Sequence, residues 1–112
     1  MLESKVENYF QQQIRLCGGV TLKFTSPSMR GVPDQIALHN GSTHFVELKA
    51  PGGKPRESQI AVHEMFEEQK IPVYTLDSIE SVDLFVKDVL KTKPKKVDNI
   101  SFEIKDNMFQ LE

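Results

Sequence analysis

Residues 34–49 read DQIALHNGSTHFVELK, and this stretch decides the fold. Two strand-like runs, Asp34 to His39 and His44 to Lys49, flank Asn40-Gly41. Asn-Gly tolerates the two successive positive φ values of a two-residue hairpin turn. The spacing therefore predicts an antiparallel hairpin. Counting outward from the turn pairs His39 with Ser42, Leu38 with Thr43, Ala37 with His44, Ile36 with Phe45 and Gln35 with Val46. The next pair is Asp34 with Glu47. Directly opposed residues have Cβ atoms about 4.5–5.5 Å apart on one face. The turn thus brings two carboxylates together, which destabilises a sheet unless a cation sits beside them. A three-residue turn would shift the register by one and break the pairing.

Lys49 follows Glu47 by two residues and so points to the same face, while Leu48 points toward a core. The Leu48 carbonyl could still reach a cation beside Glu47. Oxygen donors of this kind suit Mg²⁺ or Mn²⁺. A nearby lysine can orient an attacking water or stabilise charge growing on a phosphate. The layout is that of phosphodiester hydrolysis. The competing reading is a surface hairpin with an ordinary salt bridge, and for an isolated Asp-(12 residues)-Glu-x-Lys pattern that reading would win. Context shifts the balance, because Glu47 sits inside the apolar run Phe45-Val46-Glu47-Leu48 and a buried carboxylate needs a partner.

The flanking segments supply the rest of the architecture. Residues 2–16 carry Leu2, Val6, Phe10 and Ile14 at helical spacing, and Gly18-Gly19 ends the run. Val20 to Thr25 reads as a short strand. A loop with two prolines leads to Asp34. After a Gly/Pro-rich loop, Arg56 to Gln69 reads as a second helix. Pro72 precedes a fourth strand, Val73 to Leu76, and Ser78 can cap a third helix reaching Leu90. The order α-β-β-β-α-β-α predicts an α/β domain with a central sheet flanked by helices.

Three further polar residues fall on apolar helix stripes. Glu3 and Glu7 lie on the stripe of the first helix, and either could reach a site water or a second cation. Acids are also favoured in a helix's first turn for electrostatic reasons alone. Gln59 precedes Val62 and Phe66 on the second helix, where it could bind a site water, orient Lys49 or simply be a satisfied core amide. His39, His44 and His63 show no metal-ligand spacing and read as surface or boundary residues.

Bulk properties exclude several classes. The 112 residues suit one domain of about 1–90, followed by a linker and strand-like tail over 91–112. Ile100, Phe102, Ile104, Met108, Phe109 and Leu111 make that tail apolar, so it needs a covering surface, its own domain or a second copy. No apolar run approaches the roughly 20 residues of a membrane span. The N-terminus lacks a signal-peptide core, so a cytoplasmic location is expected. Cys17 alone excludes an internal disulfide framework and a cysteine-rich zinc site. A net charge of −2 argues against a general polyanion binder. Lys54 and Arg56, however, lie just past the candidate site.

These residues resemble a known family. Gly31-Val32-Pro33-Asp34, Val46-Glu47-Leu48-Lys49, Gly52-Gly53-Lys54-Pro55-Arg56 and Gln59, with Glu3, Glu7, Gly18-Gly19 and Lys23, are similar to the VRR-NUC domain of the PD-(D/E)xK nucleases. The resemblance covers roughly residues 3–86 and is closest to stand-alone phage and bacterial members. It implies a restriction-endonuclease-like core (αβββαβ) and a catalytic set of Asp34, Glu47, Lys49 and Gln59 with Glu3 or Glu7. Asp34, Glu47 and the Leu48 carbonyl would hold metal. It also implies Mg²⁺- or Mn²⁺-dependent cutting of branched DNA, such as four-way (Holliday) junctions, by a homodimer. Lys54 and Arg56, and more weakly Arg30 and Lys23, would hold DNA phosphates, contacts that position a duplex without reading its sequence. The rival expectation is a non-catalytic DNA-binding module on the same fold. It leaves unexplained why a phosphate-binding surface would carry two adjoining carboxylates. A small protein-interaction domain is a weaker third reading.

Overall fold

The Asn40-Gly41 turn sets the register of the sheet. In the computed structural model, which describes residues 2–95, Asn40 and Gly41 have φ of 46° and 81°. These are the two positive values that a type I′ hairpin requires, and asparagine and glycine adopt them at least cost. Strands β2 (Gln35–His39) and β3 (Ser42–Leu48) pair antiparallel from His39↔Ser42 to Gln35↔Val46, the register counted from the turn. Strand β1 (Val20–Lys23) pairs antiparallel with β2, and β4 (Val73–Leu76) pairs parallel with β3. The sheet is therefore mixed, in the order β1-β2-β3-β4. A parallel neighbour needs a crossover connection, and helix α2 (Glu57–Glu68) provides it between β3 and β4.

Helices cover both faces. Helix α1 (Glu3–Leu16) and helix α3 (Ile79–Leu84) lie on one face, where Val6, Phe10 and Ile14 meet Ala37, Val46, Leu48, Leu76, Val82, Phe85 and Val86. Val6, Phe10 and Ile14 are fully buried, as their four-residue spacing predicts. Truncating such a Phe10 to alanine would cost about 3–5 kcal/mol. Tyr9 Oη donates to Asp83 at 2.6 Å and ties α1 to α3. Helix α2 covers the other face, with Phe66 edge-on against Phe45 at 5.0 Å.

The ends of elements differ in detail from the sequence reading. Strand β1 stops at Lys23, and β3 begins at the turn itself rather than at His44. The third helix is capped by Ser78, whose hydroxyl accepts from Ser81 N–H at 3.0 Å, but it is not uniform. After Leu84 it widens into a π-helical segment, Phe85–Val89. Apolar residues at 85, 86, 89 and 90 fit either winding, so periodicity could not reveal the insertion. No helix among the described residues is long and apolar enough to cross a membrane. The apolar tail from Ile100 onward lies outside the described residues.

Candidate active site

Alternation along β3 separates the core from the chemistry. His44, Val46 and Leu48 face α1 and α3, and the His44 ring meets Phe85 edge-on at 5.8 Å. Phe45 and Glu47 face α2. Glu47 is 1% exposed, so its charge is held in a largely desolvated place.

Helix α2 answers that charge. The Gln59 side-chain amide donates to Glu47 Oε2 at 2.9 Å. Its carbonyl accepts from Arg56 N–H at 2.8 Å. The second bond uses an otherwise free N–H at the helix start and fixes which end of the amide meets Glu47. Lys49 Nζ lies 3.7 Å from the same Oε2, with its side chain 13% exposed. Gln59 is thus a satisfied buried amide that positions Glu47 rather than Lys49.

Asp34 arrives by a different route from the expected one. The β2–β3 ladder ends at Gln35↔Val46, and Asp34 is not a backbone partner of Glu47. Its carboxylate instead accepts from Leu48 N–H, at 3.3 and 3.4 Å for the two oxygens. The side chain still lies against Glu47. Burial, then the Glu47 charge and a hydrogen bond with Glu47, push the Asp34 pKa up to about 7. Burial raises Glu47 as well, while Lys49 pulls it back. The pair therefore keeps a proton to about neutrality. Gly31 makes the approach possible. It has φ of +90°, and a Cβ there would collide with the Ser58 carbonyl, so the loop before Asp34 lies directly on the first turn of α2.

No family model matches the chain. A protein described as "Putative nuclease p44", from Acyrthosiphon pisum secondary endosymbiont phage 1, is 47% identical over 62 residues, which span 54% of this chain and 67% of that protein. A solved structure described as "VRR_NUC domain" matches with a TM-score of 0.71 at 28% identity, over 77% of this chain and 95% of that one. The chain belongs to the VRR-NUC nuclease family. Its four-stranded mixed sheet between helices is the restriction-endonuclease-like core of that family.

Within this VRR-NUC fold the two helix glutamates part company. Glu7 Oε2 accepts from Gln35 Nε2 at 2.9 Å and lies 3.5 Å from Lys23 Nζ. That cluster sits on the α1 face, opposite the side that carries Glu47. The charge of Glu3, one turn earlier, bears on both Asp34 and Glu47 and raises their pKa values. Lys23, the last residue of β1, is paired with Glu7, although its side chain remains 74% exposed. Arg30, Lys54 and Arg56 are exposed on the loops that approach α2.

His63, a boundary residue as the sequence suggested, borders the candidate site. It lies one turn beyond Gln59 on α2, and its Nε2 is 3.6 Å from Glu47 Oε1. The four-residue step from Gln59 was the available signal. It had no meaning until Gln59 was known to face Glu47.

Members of this nuclease fold generally use divalent metal ions, and the donor set here fits one. Asp34 and Glu47 offer adjoining carboxylates whose mutual repulsion a cation would relieve. Glu47 Oε1 is buried with no hydrogen-bond partner among the described residues. No three His, Cys, Asp or Glu side chains among the described residues are already gathered in metal-ligand geometry. Asp34 is engaged by Leu48 N–H and Glu47 Oε2 by Gln59, so among the described residues Glu47 Oε1 is the oxygen left open to a cation.

Proposed function

We propose that this VRR-NUC protein is a Mg²⁺- or Mn²⁺-dependent DNA endonuclease that selects branched structures, four-way junctions among them, over sequence. The observation that carries the proposal is the pairing of Asp34 with the buried Glu47 carboxylate beside Lys49. Two carboxylates forced together have a clear use as cation ligands, and a buried lysine has a clear use beside a phosphate.

Asp34, Glu47 and the Leu48 carbonyl would hold the cation. A bound divalent ion supplies positive charge to the phosphate and lowers the pKa of water in its shell. Lys49 orients the attacking water and stabilises the charge that grows on the phosphate oxygens. Gln59 fixes Glu47 so that the carboxylate does not turn away. Glu3 is the helix glutamate whose charge reaches the pair, and Glu7 with Gln35 braces the strand that presents Asp34. Lys54, Arg56 and Arg30 would take backbone phosphates, with Lys23 a peripheral contact. Phosphate contacts of this kind position DNA without reading bases. Residues 1–90 form the nuclease domain in this proposal. The tail, 91–112, would cover itself on a second copy, and a two-fold dimer would suit a two-fold junction.

The test is cleavage of a labelled four-way junction and of linear duplex, each with Mn²⁺, Mg²⁺ or EDTA. Metal-dependent cutting that favours the junction is expected. Equal binding in EDTA with no cutting under any cation would instead identify a non-catalytic DNA-binding module.

A further inference from the structure

Two buried polar atoms at the site lack hydrogen-bond partners among the described residues, and they face each other. Glu47 Oε1 and His63 Nε2 are both in this state and lie 3.6 Å apart, beyond hydrogen-bond range. Their side chains are 2% and 14% exposed. The other Glu47 oxygen is already held by Gln59 and Lys49. A third such atom, Gln35 Oε1, belongs to the Glu7 cluster on the opposite face. Burying a polar atom without a partner is costly, and two such atoms side by side can be met by one polar species that touches both.

The separation suits one shared metal ion. Carboxylate oxygen and imidazole nitrogen bind a first-row divalent ion at about 2.0–2.2 Å each. The sum of two such bonds exceeds the 3.6 Å separation, so one cation can touch both atoms. Helix α2 carries Gln59 and His63 one turn apart. The same rigid element therefore clamps one oxygen of Glu47 and brings a nitrogen to the other. The geometry points to His63 as a direct nitrogen ligand of the cation, which tilts the site's preference from Mg²⁺ toward transition ions. The inference rests on the cation site proposed above for Asp34 and Glu47. Its physical basis is ligand type. Mg²⁺ favours oxygen donors and keeps several waters, whereas imidazole suits transition ions.

Electron-spin-echo spectroscopy of the full chain with Mn²⁺ alone tests this directly. Wild-type protein should show a coupling from a directly bonded ¹⁴N. His63→Gln should lose that coupling, and Mn²⁺ affinity by calorimetry should fall by at least about tenfold, no less than the loss typical of an outer-shell partner. Mg²⁺ affinity should change by less than about twofold, because Mg²⁺ relies on oxygen donors. A wild-type Mn²⁺ complex with no nitrogen coupling overturns the assignment, and this measurement needs no variant to fold. Retention of coupling and affinity in His63→Gln overturns it too. Asp34→Asn separates the two levels. If it leaves Mn²⁺ affinity unchanged, the cation site itself is wrong. If it abolishes binding while the wild type lacks the nitrogen signal, the site stands and only His63 is misassigned.

Discussion

Replacing Asp34 by asparagine keeps an oxygen that can accept from Leu48 N–H but removes one of two adjoining negative charges. In the native protein the Asp34 pKa rises from an ordinary 3.8 to about 7, through burial first and the Glu47 charge second. The folded chain thus holds a proton that the unfolded chain has already released. A carboxylate raised in this way contributes its full stability below pH 3.8 and loses it as pH rises through about 7. At 1.36 kcal/mol per pKa unit, the rise sets a ceiling of about 4 kcal/mol. Asp34 is only partly buried, and solvent screening reduces that to about 1–2 kcal/mol. Asp34→Asn should therefore be more stable than wild type by about 1–2 kcal/mol at pH 8 in EDTA, or roughly 5–10 °C in Tm for a domain of this size. At pH 5 the gap should already be about a third of that, and it should close as the pH approaches 3.8. Saturating Mn²⁺ at pH 8 should reverse the order, since a ligand at about 100 times its Kd adds about 2.7 kcal/mol to the form that binds it. Thermal melts across pH 4–8, with EDTA and with Mn²⁺, read all three effects. A gap that is the same at pH 5 and pH 8, or a wild type that is more stable in EDTA at pH 8, would refute the reasoning.

Other residues give separate tests. Lys49→Ala should lower the cleavage rate by about 10²–10³-fold, the usual loss on removing one charge-stabilising donor. Its melting curve should remain cooperative, and undiminished cleavage would remove Lys49 from the mechanism. Gln59→Ala strands both Glu47 Oε2 and Arg56 N–H, so urea unfolding should show a loss of about 1–3 kcal/mol. If Gln59 only filled space, Gln59→Leu would restore that stability. Gly31→Ala combines a left-handed φ with a collision at Ser58. It should cost at least about 1 kcal/mol and reduce activity by separating Asp34 from α2, measured by melts and single-turnover cleavage.

The hairpin was legible because its signals are local. Asn40-Gly41 specifies the turn, the turn specifies the register, and the observed pairs follow residue by residue. The helices were legible for the same reason, from apolar spacing at Val6, Phe10 and Ile14. The π-helical segment after Leu84 was not, because one extra residue per turn leaves an apolar run looking unchanged. The choice between Glu3 and Glu7 was equally closed to periodicity. Both lie on the same stripe, and only the position of Gln35 on the α1 face draws Glu7 aside.

Sequence alone singled out the parts of the proposed site carried on one hairpin, namely Asp34, Glu47 and Lys49. Strand alternation puts Glu47 and Lys49 on one side, and the two-residue turn brings Asp34 to the same end of the hairpin. Tertiary structure decided how they are held. Asp34 meets Glu47 through its side chain and the Leu48 N–H rather than through a continued ladder. Glu47 is oriented by Gln59 and faced by His63, both from a helix on the other side of a crossover. Contacts between α2 and β3 depend on how a helix lies across a sheet, and neither the period of the helix nor the period of the strand contains that information.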